Sequence, residues 1–255
     1  MTSVLRSWLD ALVYSNLWMA GAAGALVAAT SRAMEVTIRT EAVGLAVAGT
    51  LMVYNVDRLR DLPRDQHASR DRSAFVAAHE RQLIVLAGAA AAASLYFAAR
   101  AGWRATLMLL PVLGVGLFHR RLKRFENAKI IYIAASWTCV GFGLPAVLAP
   151  GAQATQWVAA ILAATMLANV IAFNVRDTGA STERVRRQHA LQFARICAII
   201  GVALGALAPS PSNALVAIPL VTLLALIGYR PTERFSPLFV DGALLVGSLI
   251  AAAVA

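Results

Sequence analysis

Apolar and polar residues follow one another along this chain in long blocks. Nine apolar blocks can be drawn, at 12–29, 42–54, 82–99, 105–118, 130–148, 156–173, 191–208, 214–229 and 238–255, separated by shorter polar segments. Most run about 15 to 20 residues, close to the length at which a helix rising 1.5 Å per residue crosses a hydrocarbon layer about 30 Å thick. The pattern predicts an all-α polytopic membrane protein of nine transmembrane helices. The block at 42–54 is short for a span. It reaches full length only if its helix continues through the polar residues as far as Asp61, which puts a charged motif at the end of a spanning helix.

Composition supports this reading. Apolar residues make up 59% of the chain and charged residues 14%, against about 25% charged in ordinary globular proteins. A net charge of +10 would point to nucleic acid in a soluble protein, but here its distribution over the loops matters more and no nucleic-acid partner is expected. Of the 23 Lys and Arg residues, eighteen fall on the side that carries the N-terminus. Four (Arg32, Arg39, Arg100, Arg104) fall on the other side, and Arg195 lies inside the seventh block. This asymmetry predicts an integral protein of the cell (inner) membrane, with the N-terminus and the polar motifs cytoplasmic and the C-terminus outside. The first block reads as a retained helix. Cys139 and Cys197 sit in apolar blocks, without disulfide or metal-ligand spacing.

The candidate chemistry centres on Tyr54-Asn55-Val56-Asp57-Arg58-Leu59-Arg60-Asp61-Leu62-Pro63-Arg64-Asp65. On a continuing helix Asp57 and Asp61 lie one turn apart on one face, where two carboxylates can share a hard divalent cation such as Mg²⁺. The competing reading is a solvated helix end that neutralises Arg58, Arg60 and Arg64. An echo occurs four blocks later, where Phe173-Asn174-Val175-Arg176-Asp177 ends the sixth block. It suggests a single domain, 1–255, built from two four-helix pseudo-repeats, about 10–125 and 128–230, plus a ninth helix. After the fourth block, His119-Arg120-Arg121-Leu122-Lys123-Arg124 supplies cations suited to phosphate oxygens or to anionic lipid. Carboxylates with Mg²⁺ on one side and Arg and Lys on the other make a diphosphate clamp, and an apolar bundle offers the dry tunnel a prenyl tail requires.

These residues resemble the UbiA superfamily of intramembrane prenyltransferases, nine-helix bundles with Asp-rich motifs after helices two and six. The match lies in Asp57-Arg58-x-x-Asp61, in the stretch from Leu110-Pro111 to Leu122-Lys123-Arg124, and in Ala128-Lys129-Ile130 running into Trp137. The resemblance implies Mg²⁺-dependent transfer of a polyprenyl group from its diphosphate to a small-molecule acceptor, aromatic or quinone-precursor in type, within a lipid bilayer. It implies metal binding by Asp57, Asp61 and Asp177 as the catalytic carboxylates. Diphosphate binding falls to Arg58, Lys123 and Arg124, and substrate contacts to Tyr54, Asn55 and Asn174.

The motif also departs from the family. Val53 stands where the family has Asn, with Asn55 two residues on; either Asn55 substitutes or the frame is Asp57-Asp61-Asp65. Ser181 replaces the last Asp of the second motif, with Glu183 nearby. Two alternatives therefore accompany the transferase reading: a UbiA-type terpene cyclase, and a non-catalytic isoprenoid-binding membrane protein. Asp241, inside the ninth block, either faces the site or is paired in the bundle. Trp18, Trp103 and Trp157 read as interfacial anchors, and Trp137 lines the tunnel or packs in the bundle.

Overall fold

The computed structural model describes residues 3–65, 69–122, 126–149, 151–153, 155–175, 183–230, 232 and 234–255. Among these residues the chain is helical and carries no strand. Helices α1 (Ser3–Tyr14), α2 (Leu17–Ala33) and α3 (Thr40–Asp65) are followed by the short α4 (Arg70–Ala78), then by α5 (Glu80–Ala101) and α6 (Trp103–Leu122). Helix α7 (Glu126–Thr138) runs through a π-helical turn, Cys139–Gly143, into α8 (Leu144–Leu148). Next come α9 (Thr155–Asn174) and α10 (Glu183–Leu207). A 3₁₀ turn, Ser212–Val216, leads into α11 (Ala217–Ile227), and a second π-helical turn, Ser236–Val240, leads into α12 (Asp241–Val254).

Each of the nine apolar blocks falls largely within these helical segments. Five segments among the described residues are long and apolar enough to cross a membrane: Glu80–Ala101, Ala128–Leu148, Thr155–Asn174, Val185–Leu207 and Ser236–Val254. Counting the bent pair α1–α2 as one span makes a sixth, and Trp103–Gly114 and Ser212–Ile227 are apolar but shorter. The molecule is thus an all-α protein with the helices of a membrane protein. Exposed Val85, Leu95, Leu207 and Leu249 lie on its outer surface, where a bilayer removes the penalty that water would impose.

The block at 12–29 is not one helix. It breaks at Ser15-Asn16, and α1 and α2 meet at 65°. Asn16 takes a left-handed backbone, φ 62°, which Asn tolerates better than most residues because its short polar side chain can bond locally.

The long helices pack in chain order. Helix α2 lies on α3, α3 on α5, α5 on α6, α6 on α7, α7 on α9, α9 on α10, α10 on α11 and α11 on α12, and α12 returns to α2 to close a ring. The ring is filled by apolar side chains through its middle, with Leu26, Leu144, Ile161, Leu162, Met166, Leu215, Ile218 and Leu244 almost wholly buried. Close approach across it needs small residues. A Cβ on Gly141 would sit 2.6 Å from Leu26 Cδ2, and one on Gly247 would sit 2.7 Å from Ile218 Cα. The π turn leaves a backbone carbonyl outside the regular ladder, and Gly141 O accepts the Thr30 hydroxyl at 2.6 Å.

One end of the ring is tied by backbone carbonyls. Ser212 Oγ donates to Ala33 O at 2.7 Å, Arg32 Nη1 to Ala252 O at 2.6 Å and Arg39 Nη1 to Leu148 O at 3.3 Å. Glu41 lies 3.7 Å from Arg39 and 3.6 Å from Arg100. These cations face the negative ends of helix dipoles or a carboxylate, which settles the cost of placing them there. The opposite end carries the acidic motif.

Candidate functional site

Helix α3 continues without a break from Thr40 through the whole acidic stretch to Asp65. Asp, Arg and Leu all permit helix, and the first strong breaker is Pro63, after which the helix ends within two residues. At 100° per residue, Tyr54, Asp57, Arg58 and Asp61 share an arc of about 100°, while Asn55 points about 100° away from Tyr54. The structure follows this division. Asp61 is buried, with 8% of its surface exposed, and Asp57 and Arg58 are half-buried.

Asn55 belongs to a different assembly. It is fully buried, its Nδ2 donates to Ser15 O at 3.1 Å and to Leu51 O at 3.0 Å, and its Oδ1 accepts Asn16 Nδ2 at 2.9 Å. Both amide protons and the carbonyl oxygen are engaged, so Asn55 fastens α3 to the α1–α2 bend and stands apart from the Asp57–Asp61 face.

Tyr54 looks the other way. Its hydroxyl accepts the indole N–H of Trp137 on α7 at 3.0 Å, and the two rings meet edge to face with centroids 6.4 Å apart. Among the described residues, Asp241, Arg58 and Asp57 are charged groups that act on this hydroxyl. Asp241, 4% exposed, therefore belongs to the neighbourhood of the motif, although it comes from α12. Its backbone is fixed by Asn169 of α9, whose Nδ2 donates to Val240 O at 3.0 Å at the end of the second π turn. Behind it a Cβ on Gly242 would lie 3.3 Å from the Trp18 ring. Trp18, near the start of α2, is half-buried and faces α12 there.

Helix α7 joins the two motif helices. Eight residues before Trp137, Lys129 Nζ donates to Asn174 Oδ1 at 2.9 Å, and Asn174 Nδ2 donates back to Val170 O at 2.8 Å. Asn174 thus closes the last turn of α9 and presents its carbonyl oxygen to a cation on α7. Asp177 and Ser181 of the second motif, and Lys123 and Arg124 of the basic cluster, lie outside the described residues.

A clasp spans the same end. Arg234, in the link between α11 and α12, lies 3.2 Å from both Asp10 of α1 and Asp71 of α4, and Tyr14 packs on Phe75 with centroids 5.7 Å apart. Burial works against the Arg234 charge, but Asp10, Tyr14 and Asp71 outweigh it and raise its pKa above the ordinary arginine value. Arg195 inside α10 is tied as well, with Nε and Nη2 on Leu226 O at 3.1 and 2.9 Å, at the C-terminus of α11.

The donor set on α3 suits a hard divalent cation: two carboxylates one turn apart, one of them buried. Like charges at this spacing repel by a few tenths of a kcal/mol on an exposed helix, and a shared cation relieves that repulsion. Among the described residues no three His, Cys, Asp or Glu side chains converge as a metal site.

Sequence reasoning passed over Lys129 as a site residue. Its signal was its place, a lone cation entering an apolar block at the level of the second motif. No protein-family model, curated protein or solved structure matches this chain.

Proposed function

We propose that the protein is a nine-span intramembrane prenyltransferase of UbiA type, which uses Mg²⁺ to move a prenyl group from its diphosphate to an acceptor. The observation that carries this reading is the unbroken α3, which sets Asp57 and Asp61 on the face shared by Tyr54 and Arg58 at the polar end of an apolar helical ring.

Asp57 and Asp61 would hold the metal ion, with Asp177 as the further ligand named by the resemblance. Bound Mg²⁺ supplies neutralisation of the charge that grows on the leaving diphosphate. Arg58, Lys123, Arg124 and Lys129 would bind diphosphate oxygens, the Arg side chains in bidentate fashion. The aromatic wall of Tyr54 and Trp137 and the apolar ring behind it would keep water from the reacting carbon. The charge asymmetry of the loops supports a cytoplasmic location for this end, and so a substrate whose charged head arrives from the cytoplasm.

The test is diphosphate release by purified protein in detergent, supplied with geranyl, farnesyl and geranylgeranyl diphosphates, with and without Mg²⁺. The reading expects release that requires Mg²⁺ and disappears in Asp57→Ala. Metal-independent release, or release unchanged in that variant, would overturn it. Cyclised hydrocarbon products formed without any acceptor would replace the transferase by a cyclase on the same site.

A further inference from the structure

Helix α1 carries two unlike faces. On a 100° wheel Trp8 and Leu12 are about 40° apart, and Asp10, Val13 and Tyr14 cluster on the opposite side. The second group turns inward: Val13 is 9% and Tyr14 5% exposed, and Asp10 engages Arg234 at 3.2 Å. The first group turns outward, Trp8 with 67% and Leu12 with 37% exposure, and Leu17 at the start of α2 continues the strip at 44%.

Helix α2 packs lengthwise between α3 and α12, and its 17 residues span about 25 Å. With α2 along the membrane normal, the 65° bend leaves α1 about 25° from the membrane plane, well outside the usual tilt of a spanning helix of about 20° from the normal. A short helix lying near the plane, with an outward Trp and Leu and an inward polar clasp, has the form of an interfacial helix. Its apolar strip runs directly into the outer surface of the ring, which names the occupant as lipid.

We infer that α1 is an in-plane helix seated at the boundary of headgroups and acyl chains, and that it sets the depth of the acidic motif in the bilayer. The link is the Asn16–Asn55 hydrogen bond at 2.9 Å, which puts the α1–α2 bend level with Asn55. Asp57 and Asp61 lie two and six residues further along α3, about 3 and 9 Å at 1.5 Å per residue. The interfacial layer is itself about 5–8 Å deep on each side. The carboxylates thus stand at headgroup depth, where an amphiphile keeps its charged head while its tail stays in hydrocarbon. This inference rests on α1 and the bend and holds whichever reaction the site performs.

The experiment places a spin label at a single cysteine in Cys139→Ala/Cys197→Ala protein, reconstituted in phosphatidylcholine–phosphatidylglycerol vesicles. Label positions are 8, 12, 60 and, as a reference within the span of α5, 95. Positions 8 and 12 are expected to collide several-fold more with oxygen than with a water-soluble nickel complex, yet less with oxygen than position 95, while position 60 favours nickel. Nickel access at 8 and 12 equal to that at 60 would put α1 in water. Oxygen access equal to that at 95 would make it part of a span, and protection from both reagents would mean that protein covers it; each of these overturns the inference. A second measurement keeps both native cysteines: the fluorescence difference between wild type and Trp8→Phe should be quenched more by lipids brominated near the headgroup than by lipids brominated near the chain end. The reverse order sinks the proposal.

Discussion

The two ends of the helical ring use the same residue types for different ends. At the end that holds Arg32, Arg39 and Arg100, each guanidinium meets a helix-terminal carbonyl or Glu41. These contacts tie helices together and account for the charges present. At the other end some charges do the same work, as Arg195 does on Leu226 and Arg234 does between Asp10 and Asp71. Asp57 and Asp61 differ in arrangement, because they stand one turn apart on one helix face, where like charges repel. Ionisable groups gathered in this way at the end of a membrane bundle are where function is sought.

Six substitutions sharpen or break this contrast. The largest expected effect is Asp61→Asn, which should lower Mg²⁺-dependent diphosphate release by at least about 10²-fold, the scale for losing one charge-stabilising group. Arg32→Gln, at the other end, should leave release within about twofold and lower the melting temperature instead, since only an exposed tie is lost. Equal losses of activity in both variants would erase the distinction between the ends.

Next in size, Gly247→Ala places a methyl 2.7 Å from Ile218 Cα, where backbone must move, and should destabilise by about 1–3 kcal/mol. Gly88→Ala, with open space around the position, is its control and should be neutral or slightly stabilising in thermal unfolding. Asn55→Ala should also lose about 1–3 kcal/mol, by stranding the buried Asn16 amide and Ser15 carbonyl, while the Mg²⁺ concentration for half-maximal release stays put. A shift in that concentration would return Asn55 to the substrate side of α3.

The smallest effect concerns Glu35, which holds φ 56° where α2 ends, with Val36 N donating to Ser31 O at 2.9 Å. Glycine suits that left-handed position, so Glu35→Gly should stabilise by up to about 1 kcal/mol. No gain in the unfolding midpoint would mean that the added chain entropy of glycine cancels the relief.

Much of this architecture was legible in the apolar blocks, because a helix in hydrocarbon must satisfy its own backbone and so declares itself by length. The continuation of α3 through Asp61 was legible too, from the shortness of the block at 42–54. The break at Ser15-Asn16 was not, since Asn is common in turns and helices alike and nothing local separates an α1 from an α2. Asn55 shows the same limit at the site. Two residues before Asp57, it joined the substrate contacts as the substitute for the family's Asn, whereas two residues turn a helical side chain by about 200° and deliver it to another neighbour.

What the sequence determined by itself is whatever follows from one segment's own chemistry: which stretches are helical and apolar, which side of each carries charge, and that Asp57 and Asp61 share a face. Tertiary structure decided which segments meet. It brought the charge of Asp241 on α12 to bear on Tyr54, set Trp137 and Lys129 of α7 against α3 and α9, and closed the ring by laying α12 on α2. These partners are separated by tens to hundreds of residues, and their meeting depends on side-chain volume and helix direction summed over the whole ring, which no local pattern records.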